Sequence, residues 1–178
     1  MDAKTIVQFW MQAGPAHWFT RNAAFDGALK TRFGEALKQA RLGVYDHWSK
    51  TAEGTLGLIL LLDQVSRNVH RGSPLAFAAD AKALALAKMA VSRNYHHAFP
   101  APLAMWLLMP FEHAEDLDAQ QRFVALFETM GLHGLVRYGK MHLDIIARFG
   151  RFPHRNPVLG RKSTPAETAF LRAGGFAG

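Results

Sequence analysis

The run Leu56-Gly57-Leu58-Ile59-Leu60-Leu61-Leu62 is followed directly by Asp63-Gln64-Val65-Ser66-Arg67-Asn68. A helix over about Glu53 to Asn68 would be apolar all round in its first part and polar only at its C-terminal end, which places it at the centre of a core. Upstream, Ile6, Val7, Phe9 and Trp10 form a short amphipathic piece stopped by Gly14-Pro15. From near Asn22, the residues Phe25, Leu29, Phe33, Leu37 and Ala40 recur at helical spacing until Gly43. Downstream, Ser73-Pro74 reads as an N-cap and first-turn proline opening a helix through Phe77, Leu84 and Met89. A helix from Leu103 to about Asp116 contains Pro110, which is expected to kink or end it. Asp118-Ala119-Gln120-Gln121 has the form of a capping box whose helix ends at Gly131; a further helix runs from Gly134 to Phe149, and Thr164-Pro165-Ala166-Glu167 opens the last. No segment alternates as a half-buried strand does. The expectation is an all-α single domain over 1–178, with seven to eight helices in antiparallel hairpins and no sheet.

Composition narrows the function classes. With 49% hydrophobic and 20% charged residues, a formal charge of +7 does not describe a disordered basic tail. The absence of cysteine excludes a disulfide framework, a thiol nucleophile and an iron–sulfur cluster. The N-terminus lacks the features of a signal peptide, and the longest uncharged apolar stretch, Ala101 to Phe111, is far too short to span a bilayer. A cytoplasmic protein with no membrane partner is expected. The charge is unevenly spread: residues 1–111 carry a net +5, residues 112–128 a net −4 and residues 129–178 a net +6.

Three polar clusters stand out. The first is Glu112-His113-Ala114-Glu115-Asp116, in which Glu112, Glu115 and Asp116 would share one face of a continuing helix and need compensation. Glu112, His113, Glu115 and His142 are the candidate acid and base groups. His113 and Asp116, with His142 and Asp144, invite a metal reading, but their spacing matches neither HExxH nor the Glu-x-x-His pairs of di-iron bundles, so no metal or cofactor is assigned. The second is the basic stretch from Arg148 through Phe149-Gly150-Arg151-Phe152-Pro153-His154-Arg155-Asn156 to Arg161 and Lys162, which has no acidic residue. Arg148, Arg151, His154, Arg155 and Asn156 could hold a phosphate or carboxylate, or the arginines could pair with the acidic cluster and pin the loop. The third comprises Asp63, Gln64, Arg67, Asn68 and Arg71, where Asp63 and Arg67 stand at i, i+4 and Asp80 lies within reach. These five are candidate ligand-binding residues, with Arg67 a donor to an anion, or else a local ion pair with a cap accounts for Asp63, Arg67 and Asn68 without a ligand.

No phosphate-binding glycine loop and no nucleophile elbow are present. The residues support a binding module whose cleft takes an anionic small molecule or peptide, or alternatively an enzyme using Glu/His acid–base chemistry on a phosphate- or carboxylate-bearing substrate. Nucleic acid ranks below both, because the arginines are matched by nearby carboxylates. No oligomeric state is assigned.

Along nearly its whole length the chain resembles the bacterial domain-of-unknown-function family 924. The resemblance rests on Phe25-Asp26, on Leu62-Asp63-Gln64-x-x-Arg67-Asn68-x-x-Arg71-Gly72 with Phe77 and Asp80, on Pro110-Phe111-Glu112-His113-x-Glu115-Asp116 with Gln121, and on His142 to Arg161. Ala114 stands where the family pattern leads one to expect serine, and Phe9-Trp10-Met11 departs from the usual opening. The resemblance implies a tetratricopeptide-like right-handed array of helices and brings no accepted catalytic function.

Overall fold

A computed structural model describes residues 1–176, and every long regular element among them is helical, with no strand. Two compact units form: Met1–Arg71 with Leu75–Pro110, and Gly72–Pro74 with the residues from Phe111 on.

In the first unit, α1 (Ala3–Ala13), the single turn α2 (Pro15–Trp18) and α3 (Ala23–Arg41) precede α4 (Ala52–Ile59). Asp2, Asn22 and Thr51 cap α1, α3 and α4 by accepting the N–H groups of Thr5, Phe25 and Gly54. A π-helical turn over Leu60–Val65 joins α4 to α5 (Ser66–Val69), so residues 52–69 form one continuous rod. Leu56, Leu58 to Leu62 and Val65 have no exposed surface, as a run apolar on all sides demands. Nothing in the sequence marks the π turn itself.

The rod is packed by α1 against α4 and by α3 against the π turn and α5. Gly57 is what allows α1 this close: a Cβ there would lie 2.8 Å from Ala3 Cβ and 2.9 Å from the Ala3 carbonyl oxygen. Because backbone cannot swing aside as a flexible side chain can, Gly57→Ala is expected to lower unfolding free energy by about 1–3 kcal/mol, measured by urea denaturation.

After α5 the expected helix from Ser73-Pro74 does not form. Pro74–Ala76 is a 3₁₀ turn, and α6 (Asp80–Ser92) starts only at Asp80. The carbonyls that would have continued the turn are taken by side chains from earlier helices: Arg41 Nη2 donates to Leu75 O at 2.6 Å and Ser66 Oγ donates to Ala76 O at 3.1 Å. The following α7 (Ala101–His113) passes through Pro110 and continues to His113 instead of ending there. Leu107, Leu108 and Phe111 are fully buried and Trp106 nearly so. Burial at about 1.5–3 kcal/mol per large side chain outweighs the roughly 3 kcal/mol cost of an interior proline.

The second unit holds the last turn of α7 together with α8 (Leu117–Thr129), α9 (His133–Phe149) and α10 (Pro165–Arg172). The cap of α8 is Asp116, which accepts the Ala119 N–H at 3.1 Å; Asp118, the expected cap, lies inside the first turn. The capping box of α10 forms as expected, with Thr164 and Glu167 exchanging hydrogen bonds of 3.2 and 2.7 Å. A loop with one 3₁₀ turn, Pro153–Arg155, connects α9 to α10, and Ile145, Ile146 and Phe152 are buried beneath Met141, Phe149, Phe170 and Phe176. With residues 52–69 taken as one rod and α2 set aside, the described residues contain eight helices longer than a single turn, within the expected range. None of them is long and apolar enough to cross a membrane.

Candidate functional site

The polar end of the central rod forms a closed chain within the first unit. Arg67 grips Asp80 with two hydrogen bonds of 2.8 and 3.0 Å and stands 3.5 Å from Asp63. Gln64 donates to Asp63 at 2.7 Å, Asn68 donates to the Gln64 carbonyl at 2.9 Å, and Arg71 donates to Asn68 Oδ1 and to both oxygens of Asp26. Burial opposes the charge on Arg67, but Asp63 and Asp80 outweigh it and leave the guanidinium more basic than usual. Asp26, which sits 45 residues from Arg71 in sequence, could be tied to it only through the fold.

In the second unit the acidic cluster does not share one helical face. α7 ends at His113, so Glu115 and Asp116 occupy the turn before α8 and serve different partners. Asp116 caps α8. Glu115 takes the Phe152 N–H at 2.8 Å and both Nη groups of Arg161 at 2.6 and 2.9 Å. Desolvation pushes the Glu115 carboxyl up, but Arg161 and the Phe152 N–H outweigh it and hold it below the usual range. Glu112, on the last turn of α7, is buried and binds His142 Nδ1 of α9 at 2.8 Å.

The basic loop divides its side chains as sharply. Arg151 meets Glu167 through two hydrogen bonds of 2.6 and 2.9 Å, and the fully buried Asn156 donates to Ser163 Oγ and to Glu167. Arg155 donates to the His113 carbonyl at 3.0 Å and lies 4.4 Å above the Phe152 ring, while Arg148 covers Phe149 and Phe170. Of the expected pairings between loop arginines and the acidic cluster, Arg161 with Glu115 occurs, and Arg151 turns instead to Glu167. Charge counting carried this signal: residues 129–178 contain only Asp144 and Glu167 as acids against eight basic residues. Glu167 is already recognisable as a capping-box glutamate, and its second role is invisible until the loop folds back.

What remains is an imidazole pair. His142 and His154 both pack against Phe152, at 5.4 and 5.6 Å, and against Phe176, at 4.6 and 5.2 Å between ring centroids. His154 Nδ1 is buried without a hydrogen-bond partner among the described residues. Burial above all, helped by Arg155 and His142, lowers the His154 pKa from 6.5 to about 4 and keeps the ring neutral. Gln120, fully buried, donates to the carbonyls of Glu112 and Ala114 and so fixes the turn that carries Glu112. Among the described residues no three His, Asp or Glu side chains are grouped so as to hold a metal ion.

The arrangement can therefore orient an imidazole and pass a proton. A carboxylate accepting the Nδ1–H of His142 sets the tautomer in which Nε2 carries the lone pair. His142 Nε2 has no hydrogen-bond partner among the described residues.

Comparison with known proteins agrees with the fold and is silent on chemistry. The family model described as bacterial protein of unknown function (DUF924) matches residues 6–175. A solved structure of a protein of unknown function from Agrobacterium tumefaciens is 42% identical, with a TM-score of 0.91 over 96% of this chain and 97% of that one. No curated protein matches the chain.

Proposed function

The chain belongs to the DUF924 family of bacterial proteins of unknown function, and on the geometry of its second unit we propose that it is an enzyme with an acid–base site, in which His142 is the proton acceptor and Glu112 its orienting carboxylate. The 2.8 Å contact between Glu112 Oε1 and His142 Nδ1 carries this reading. As a proton arrives at Nε2, Glu112 stabilises the imidazolium without itself leaving its place. His154, held neutral by its burial, supplies a second imidazole beside the same two phenyl rings. The positive charge of Arg155 next to His154 supports an anionic, phosphate- or carboxylate-bearing substrate, while that of Arg161 is offset there by Glu115. The side-by-side packing of α8 and α9 supports the tetratricopeptide-like scaffold that the resemblance implies.

A pure anion-binding module has less support. Arg67, Arg71, Arg151 and Arg161 each hold a carboxylate with two hydrogen bonds, and an incoming anion would have to displace it.

Turnover of 4-nitrophenyl phosphate and 4-nitrophenyl acetate tests the proposal. His142→Ala and Glu112→Gln are expected to lose at least ~100-fold in rate per folded molecule, beyond any loss of folded protein that comes from breaking a buried pair. Wild-type protein that turns over neither probe, together with Glu112 and His142 coupled by about 2 kcal/mol or more in a double-mutant cycle of unfolding, would make the pair a structural one.

A further inference from the structure

We propose that Phe176 is a displaceable lid over the imidazoles of His142 and His154, which regulates access to the acid–base site; the inference rests on that reading of the site. The Phe176 ring stands nearly perpendicular to both imidazoles, at 88° to His142 and 84° to His154. It is the one aromatic side chain besides Phe152 that touches both among the described residues.

The chain after α10 is shaped to deliver it there. Gly174 adopts φ +81°, a left-handed conformation that turns the backbone out of the helix. Gly175 then passes so close to Phe170 that a Cβ would lie 2.5 Å from the ring's Cζ. A larger residue at position 175 would lift the segment off Phe170 and carry Phe176 away from the histidines.

Phe152 and Phe176 are held in different ways. Phe152 is 1% exposed, its N–H is bound by Glu115, its carbonyl accepts from Arg161, and Arg155 covers its ring. It forms a fixed wall. Phe176 is partly exposed, and the last backbone hydrogen bond before it is Gly175 N–H to Phe170 O at 3.0 Å. Its ring is retained by packing alone, so opening sacrifices no hydrogen bond among the described residues. That is the energetic profile of a segment that opens locally without unfolding the unit.

Diethyl pyrocarbonate, which modifies neutral imidazole nitrogen, reads out the lid. Modification of each histidine in the full chain is followed by peptide mass mapping for wild type, Phe176→Ala, Phe176→Leu and Glu112→Gln. Phe176→Ala is expected to raise the rates at His142 and His154 by at least ~5-fold, with Phe176→Leu in between and His47 unchanged, because the population of the open form sets the rate. Unchanged rates at His142 and His154 in Phe176→Ala would overturn the lid. So would a parallel rise at all nine histidines with a lowered melting temperature, since Phe176 would then be a core residue. The Glu112→Gln arm separates the two ideas: an unaltered rate at His142 removes the orienting role of Glu112 and leaves the lid result standing.

Discussion

Glu167→Ala is expected to destabilise the protein by about 3 kcal/mol, lowering its melting temperature by roughly 6–12 °C. Glu167 is 2% exposed and is where the second unit's loop and last helix are tied together. It accepts two hydrogen bonds from Arg151, one from Asn156 and one from the Thr164 N–H, and its own N–H is bound by Thr164 Oγ1. Truncation removes all four acceptor contacts at once and leaves the buried Asn156 amide with Ser163 Oγ alone, its Oδ1 being already without a partner. Arg151→Ala is expected to cost less, because Glu167 keeps Thr164 and Asn156 while the freed space admits water. Glu167→Gln, which preserves shape and one carbonyl acceptor, falls between. Urea unfolding of the three variants checks the order, and equal losses for Glu167→Ala and Arg151→Ala would contradict it. The same carboxyl has an acid limit. The Arg151 hydrogen bonds, above all, hold its pKa at about 2 against an ordinary 4.5. Its contribution is complete above pH 4.5 and disappears as pH falls through about 2.

The second large effect has the opposite chemical origin and a milder pH range. His154 has a folded pKa of about 4 against an ordinary value of 6.5. Above pH 6.5 the ring is neutral in both folded and unfolded chains and costs nothing. As pH falls from 6.5 towards 4, the unfolded chain takes up a proton that the folded one refuses, so stability declines through that window and levels off below it. The loss is at most about 3 kcal/mol, because the ring keeps some contact with water. Unfolding free energies of wild type and His154→Gln, measured across this range, isolate the contribution. His70, whose pKa is also lowered by burial and by Arg41 and Lys30, is common to both proteins and cancels in the difference. Identical pH slopes for the two would refute the assignment.

Both effects arise from residues whose types were legible and whose partners were not. Thr164-Pro165-Ala166-Glu167 announces a helix start because a capping box spans four consecutive residues. Nothing local says that Arg151, 16 residues earlier, will return to the same glutamate. The acidic cluster shows the converse. Read as a continuing helix, Glu112, Glu115 and Asp116 share a face and repel one another. Once α7 stops at His113, they separate into an imidazole partner, an arginine partner and a cap. The turn at the helix end is held by Gln120, which donates to the Glu112 and Ala114 carbonyls.

The sequence by itself determined that this chain is all helical, that Leu56 to Leu62 lies in the core of its unit, and that its polar chemistry is gathered into a few strings. These follow from side-chain periodicity and from hydrogen bonds that close within a turn, where the interacting groups are neighbours along the chain. Only the tertiary structure decided which carboxylate each arginine holds, that Pro110 is carried inside a helix, that Pro74 begins a 3₁₀ turn, and that His142, His154 and Phe176 meet. Those outcomes depend on contacts between residues tens of positions apart, and such contacts are chosen by the packing of helices whose apolar faces leave several pairings open to the polar groups at their ends.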